Sequence, residues 1–188
     1  MLSYFILRGR CRYCGEKISI RYPVVEAMTA LLFLAIYIKT GISIRSAVSL
    51  VFAILLLLIS FIDLETMTIP DFLMLIGIAV GSAYSIYNRS FIDSLIGACS
   101  GFLFMFVLSE GAKYFLKKEA LGDGDIKLVV MFGAFLGMER TFISIFAGSI
   151  FGAVLGISLI LLGRLKKEDY IPFAPFLASG AVVSILLW

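Results

Sequence analysis

Two aspartates stand out as residues that could do chemistry, because each adjoins a long apolar run. Asp63 follows the run Leu50–Ile62, and Asp125 closes Gly122-Asp-Gly-Asp and precedes the apolar segment 126–138. An ionisable side chain inside a hydrocarbon layer, or at its edge, is costly unless it is paired or hydrated. We therefore expect Asp63 and Asp125 to have a functional role.

Two carboxyl groups that share one proton can hydrolyse a peptide bond. The ionised group activates a water molecule, while the protonated group donates its proton to the scissile carbonyl. Asp63 and Asp125 are candidates for such a catalytic pair. On the residues alone, two further interpretations stay open: a small proton- or cation-coupled membrane transporter, and a membrane scaffold without catalytic activity.

Residues around the two acids favour the protease interpretation. Gly122 and Gly124 give the backbone freedom to approach a neighbouring helix or an extended substrate closely. Lys127, beside the second acid, could stabilise an ionised partner. Pro70 disfavours helical geometry at the residue before it, which predicts a break between two helices. Asp71 is then expected to cap the next helix.

The composition predicts an all-α, polytopic membrane protein. Of 188 residues, 61% are apolar and 15% are charged, and the apolar stretches are continuous rather than alternating. Seven transmembrane helices are predicted, and their segments are 24–38, 46–62, 72–87, 92–115, 126–138, 141–163 and 172–188. The fifth segment is short for a complete crossing, which needs about 20 residues.

Connections between these segments carry turn signals. We expect the chain to turn at Lys39-Thr-Gly41, at Asn88-Arg-Ser90 and at Met138-Glu-Arg140. Three glycines, Gly148, Gly152 and Gly156, recur every four residues and predict close packing between two helices. Cys99 falls in the middle of a predicted span, where we interpret it as a small apolar filler.

The distribution of basic residues predicts the orientation. With a cytoplasmic N-terminus, all but four of the 16 Lys and Arg residues lie on or beside the inner face, the four being Lys39, Arg45, Arg89 and Arg140. This topology brings Asp63 and Asp125 to the cytoplasmic side. We divide the chain into a cytoplasmic N-terminal segment, residues 1–23, and a membrane-embedded domain, residues 24–188. The sequence gives no indication of nucleic-acid binding.

Several blocks of the chain together resemble the bacterial type IV prepilin peptidases, which are membrane aspartic proteases with a Gly-x-Gly-Asp motif. The resemblance extends along almost the whole chain, and its blocks are 8–15, 18–26, 62–71, 122–128 and 171–177. It implies that the catalytic residues are Asp63 and Asp125. It also implies removal of the leader peptide from type IV prepilins or pseudopilins at the cytoplasmic face of the bacterial inner membrane. The block Ile171–Leu177 has no chemical role assigned to it.

The number and spacing of the cysteines limit how the chain could bind zinc. Cys11 and Cys14 have the Cys-x-x-Cys spacing of half a zinc site, but the chain has three cysteines and no histidine, so four cysteine ligands within it are impossible. Longer family members begin with an extra membrane segment and an earlier Cys-x-x-Cys pair. Two possibilities stay open: two protomers of a homo-oligomer share one zinc ion through Cys11 and Cys14, or these cysteines bind no zinc.

Methyl transfer stays open as well. Many members of the family methylate the new N-terminus with S-adenosylmethionine, and that activity is associated with the front region of the longer members. We therefore expect proteolysis, which requires no cofactor, and consider both a cleave-and-methylate enzyme and a short form with peptidase activity only.

Overall fold

The computed structural model describes residues 4, 7, 9–10, 12–116, 121–164 and 171–187. In this part of the chain the regular structure is helical, and a single β-bridge joins Arg10 and Lys17. There are seven α-helices in these ranges: α1 Arg21–Thr40, α2 Ile44–Thr66, α3 Asp71–Tyr87, α4 Phe91–Leu116, α5 Asp123–Leu136, α6 Met138–Leu161 and α7 Ala174–Leu186. Each of the seven predicted segments corresponds to one helix, which confirms the all-α prediction.

Helix lengths and surface composition suit a membrane. By length and composition α1, α2, α4 and α6 can each cross one, whereas α3 and α7 are apolar but shorter. Helix α5 has 14 residues and is therefore about 21 Å long, against a hydrocarbon core of about 30 Å. Apolar side chains at i, i+4 and i+8 on α6, namely Phe146, Ile150 and Val154, are all exposed, as expected of a surface that faces lipid. The prediction of seven complete crossings stays a prediction.

Two of the predicted turns are confirmed, and one is wrong. Helix α1 ends before Gly41, which has φ 62°, and Arg89 has φ 57° between α3 and α4. The turn expected at Met138–Arg140 lies instead at Gly137, the single residue between α5 and α6. Gly137 has φ 76°, a backbone conformation that glycine adopts without strain, so three following residues can form the first turn of α6.

The chain forms two compact units, residues 1–54 and residues 55–188. The first contains α1 and the first half of α2. The second contains the rest of α2 and the helices α3–α7, and it holds both candidate catalytic aspartates. The division after residue 54 does not bear on the domain boundary proposed after residue 23, and that boundary stays a prediction.

Helix α5 forms the centre of the second unit. Nine of its residues are buried: Asp125, Ile126, Leu128, Val129, Met131, Phe132, Gly133, Ala134 and Phe135. Glycines allow α3 and α4 to approach α5 very closely. A methyl group on Gly81 of α3 would lie 2.9 Å from the backbone carbon of Ala134 in α5. A methyl group on Gly133 of α5 would overlap the backbone of Ala98 in α4. The helix that carries Asp125 is therefore fixed on two sides by backbone contacts.

Helices α6 and α7 pack together in the same way. A methyl group on Gly148 would lie 2.7 Å from the carbonyl oxygen of Phe176 and 2.8 Å from Cα of Leu177. A methyl group on Gly152 would lie 3.4 Å from the ring of Phe176, and one on Gly156 would lie 3.6 Å from the side chain of Ile171, which precedes α7. The predicted close packing between two helices is confirmed at Gly148, whereas Gly156 makes no contact with another helix in this test.

Candidate active site

Asp63 lies in the last turn of α2, at the end of a long apolar run. Its side chain is buried, with 6% of its surface exposed. The helix ends three residues later, at Thr66, and the next residue, Met67, adopts φ 52° and donates its N–H to the carbonyl oxygen of Asp63 at 2.9 Å. This left-handed residue is a common way to end a helix. The carboxyl group is thus held at the boundary between α2 and the following loop.

Asp125 lies in the first turn of α5 and is buried to a similar degree, with 8% of its surface exposed. Gly122 is the N-cap residue, with φ −74° and ψ 147°. The backbone N–H of Asp125 donates to the carbonyl oxygen of Gly122 at 3.1 Å. This bond belongs to the first turn of α5, so the start of the helix fixes the backbone that carries the carboxyl group.

The structure brings the two predicted catalytic residues together. The carboxyl groups of Asp63 and Asp125 interact electrostatically, although the residues belong to different helices. Two carboxyl groups that interact in this way disfavour each other's ionised form. A pair that holds one proton is the state in which one group can activate water while the other donates a proton.

A third segment reaches the pair. The backbone N–H of Ala174, the first residue of α7, donates to Oδ2 of Asp63 at 3.2 Å. The block Ile171–Leu177 was singled out from the sequence, but this contact was not predicted, because every residue except proline has a main-chain N–H. The indication that the sequence did contain is Pro175, which is typical of the first turn of a helix.

The predicted break at Pro70 is confirmed. Helix α2 ends at Thr66 and α3 begins at Asp71, with Pro70 as an extended N-cap at ψ 122°. The loop before Pro70 packs on the start of α5: a methyl group on Gly124 would lie 3.0–3.1 Å from three carbon atoms of Ile69. Gly124 thus permits a close approach, but to a loop residue rather than to the neighbouring helix or substrate that was predicted. Gly122 has room for a side chain, since its nearest neighbour in the same test is Asp125 Oδ2 at 3.5 Å.

Lys127 has a different partner from the one expected. Its Nζ lies 2.6 Å from Oδ1 of Asp71, and both side chains are more than half exposed. The ion pair joins the start of α3 to the first half of α5. Asp71 is the first residue of α3, and no side-chain capping bond is formed there, so the expectation that Asp71 caps this helix is wrong.

Of the three cysteines, Cys14 and Cys99 belong to the part of the chain that the structure describes. Cys11 is outside the described residues, and Cys14 is exposed. The described ranges contain no group of three or more His, Cys, Asp or Glu side chains suited to a metal ion. Cys99 is exposed on α4, and its interpretation as a small apolar filler of a membrane span stays a prediction.

Two buried carboxyl groups that interact electrostatically, on different helices of an apolar bundle, are the arrangement that proteolysis by a membrane aspartic protease requires. Comparison with known sequences agrees. The profile of the type IV leader peptidase family matches residues 50–157, which include both aspartates, and that of the bacterial peptidase A24 N-terminal domain matches residues 1–40. The chain belongs to the type IV leader peptidase family.

Individual relatives support this assignment. A prepilin leader peptidase/N-methyltransferase of Aeromonas hydrophila is 38% identical over 100% of this chain, which spans 65% of that protein. A relative of the same name from Bacillus subtilis is 34% identical over 99% of this chain and 74% of its own length. One from Myxococcus xanthus is 42% identical over 86% of this chain and 49% of its own length. No solved structure matches the chain.

Proposed function

We propose that this chain is an intramembrane aspartic endopeptidase that removes the leader peptide from type IV prepilins or pseudopilins. The observation that carries the proposal is the buried, electrostatically interacting pair Asp63 and Asp125 within the family-matched region. Relatives that bear the name prepilin leader peptidase/N-methyltransferase supply the substrate class.

The geometry supports a mechanism in which the pair starts with one proton. The ionised carboxylate takes a proton from water as the water oxygen attacks the scissile carbonyl, and the protonated partner donates to the carbonyl oxygen. A tetrahedral intermediate results. When the C–N bond breaks, the carboxyl group that took the proton from water gives it to the leaving amine, and the other carboxylate takes back a proton from a hydroxyl of the collapsing intermediate, so the pair again holds one proton.

The position of the pair at the ends of helices supports cleavage at a membrane boundary. Asp63 lies in the last turn of α2, Asp125 in the first turn of α5, and the start of α7 contacts Asp63. Exposed Lys127 and Asp71 lie beside the starts of α3 and α5. Together with the excess of basic residues on the inner side, this arrangement favours the cytoplasmic face of the inner membrane. Transporter sites usually lie near the midplane instead.

Methyl transfer is a separate proposal. The relatives' printed name includes an N-methyltransferase activity, but this chain spans only 65% of the length of the Aeromonas hydrophila protein. If the chain methylates its product, S-adenosylmethionine would supply the methyl group. Zinc at Cys11 and Cys14 would need ligands in addition to those two thiolates, and a second protomer is one source of them.

Co-expression with a prepilin tests the proposed proteolysis. Asp63→Asn and Asp125→Asn should each abolish leader removal while the protein still inserts into the membrane. Exposed acids nearby provide matched controls, since Glu65→Gln and Asp123→Asn change charge in the same segments and should leave cleavage intact. Retained cleavage in either catalytic variant would refute the two-aspartate mechanism.

A further inference from the structure

The start of α7 presents a buried main-chain donor to the catalytic pair. Ala174 has no exposed surface, and its N–H belongs to the first turn of a helix, where amides lack an acceptor in the preceding turn. A buried N–H without an acceptor is costly. Asp63 supplies that acceptor through Oδ2 at 3.2 Å, so the carboxyl group and the helix start stabilise each other.

In the first turn of α7, Ala174 is the residue whose N–H donates to Asp63. Pro175 has no N–H, and the amides of Phe176 and Leu177 bond to the carbonyl oxygen of Phe173 at 3.0 and 3.2 Å. Within the described ranges, Oδ2 is the one oxygen of Asp63 that accepts a hydrogen bond. The second oxygen therefore stays available for Asp125 or for the attacking water.

Helix α7 cannot easily move away from Asp63. Its first turn rests on Gly148 of α6, where the carbonyl of Phe176 and Cα of Leu177 leave no room for a side chain. Further along, Gly180 approaches the backbone of Ser144 and Gly148 just as closely. These contacts fix both the register and the distance of α7 on α6, and with them the position of the Ala174 amide.

We propose that the start of α7, Phe173–Pro175, is a positioning element for Asp63. The Ala174 amide orients the carboxyl group and stabilises its ionised form, helped by the positive end of the helix dipole. The proposal rests on the proposed function of the Asp63–Asp125 pair. Among the titratable groups of the packed helices, Asp63 acts electrostatically on Asp125 of α5, and the cation Lys127 of the same helix is paired with Asp71.

Replacement of the Ala174 amide by an ester tests this role directly. Lactic acid incorporated at position 174 removes the N–H and keeps the side chain. Without the donor, the singly ionised pair is less stable, so a higher pH is needed to reach it. The half-maximal point on the acid side of the pH–rate profile should rise by about one pH unit, while KM changes less than about twofold.

An ester at Ala178 is the matched control. Ala178 is a buried residue of the same helix, and its amide lies inside the helix rather than against Asp63. This ester weakens α7 to a similar extent but should leave the acid side of the profile in place. If the two esters give the same profile, the positioning role of the Ala174 amide is overturned.

Two further measurements distinguish a failure of the proposed function from a failure of the positioning role. If Asp63→Asn cleaves normally, the proposed function fails; if it is inactive while both esters behave alike, the positioning role alone fails. Where cleavage is too slow for a profile, thermal unfolding decides. The Ala174 ester should lower the unfolding midpoint in the unchanged chain but not in the Asp63→Ala variant, and an equal decrease in both would overturn the proposal.

Discussion

Oδ2 of Asp63 lies 3.2 Å from the amide nitrogen of Ala174, although the two residues are 111 positions apart in the sequence. This hydrogen bond connects the end of α2 to the start of α7. Since Asp125 approaches from α5, three helix ends converge on the candidate site. Its geometry therefore depends on how these helices pack, and substitutions at the packing contacts should affect activity as well as stability.

Gly148→Ala should reduce leader cleavage without touching either aspartate. The added methyl group would collide with backbone atoms of Phe176 and Leu177, which cannot rotate away. We expect a loss of stability of about 1–3 kcal/mol and displacement of the start of α7 from Asp63. Gly156→Ala is the matched control on the same helix, because its nearest neighbour is a side-chain carbon of Ile171 at 3.6 Å. Equal activity of the two variants would contradict the prediction.

The two glycines of the Gly-x-Gly-Asp motif should differ in sensitivity. Gly124→Ala brings a methyl group within 3.0–3.1 Å of Ile69, so either the loop before Pro70 or the start of α5 must shift, and we expect cleavage to fall about tenfold or more. Gly122→Ala meets only an ordinary contact at 3.5 Å and should lose less. Initial cleavage rates of the two variants at matched expression test this order, and the reverse order would be incompatible with the structure.

Disruption of the Lys127–Asp71 ion pair should have a small effect. Both side chains are more than half exposed, and such pairs contribute about 0–1 kcal/mol. Lys127→Met and Asp71→Asn should therefore each change cleavage by less than about threefold, and their effects in a double-mutant cycle should couple weakly. If Lys127→Met alone reduced cleavage more than tenfold, the ammonium group would have to act on the catalytic carboxyl groups, as its place in the sequence first indicated.

The cysteine pair should be dispensable for proteolysis. We expect Cys11→Ser combined with Cys14→Ser to retain cleavage, because the proposed mechanism uses two carboxyl groups and water. A gel assay of leader removal, with membrane insertion checked in parallel, provides the measurement. Complete loss of cleavage in a well-inserted protein would show that this segment takes part in the reaction or in substrate binding.

Much of the fold could be predicted because continuous apolar runs determine where helices form. The break at Pro70 and the end of α1 at Gly41 follow from the backbone preferences of proline and glycine. The turn at Gly137 was placed slightly too late in the sequence, because the charged residues Glu139 and Arg140 indicated a loop although they lie in the first turn of α6. Backbone conformation rather than side-chain polarity determines that boundary.

The site was only partly predictable, for a related reason. Asp63 and Asp125 are recognisable because charge is rare beside such apolar segments. The partner of Lys127 depends on which helix starts lie next to each other, and local sequence does not determine that. The Ala174 contact comes from a main-chain N–H, which every residue except proline carries, so no residue type can reveal it.

Mass spectrometry of a processed substrate tests the central claim most directly. A purified prepilin incubated with this chain in liposomes should yield a product shorter by its leader peptide, and neither Asp63→Asn nor Asp125→Asn should form that product. The mass of the new N-terminus also shows whether a methyl group is added when S-adenosylmethionine is present. No cleavage by the unchanged chain, or equal cleavage by either aspartate variant, would contradict the assignment of these two residues as the catalytic pair.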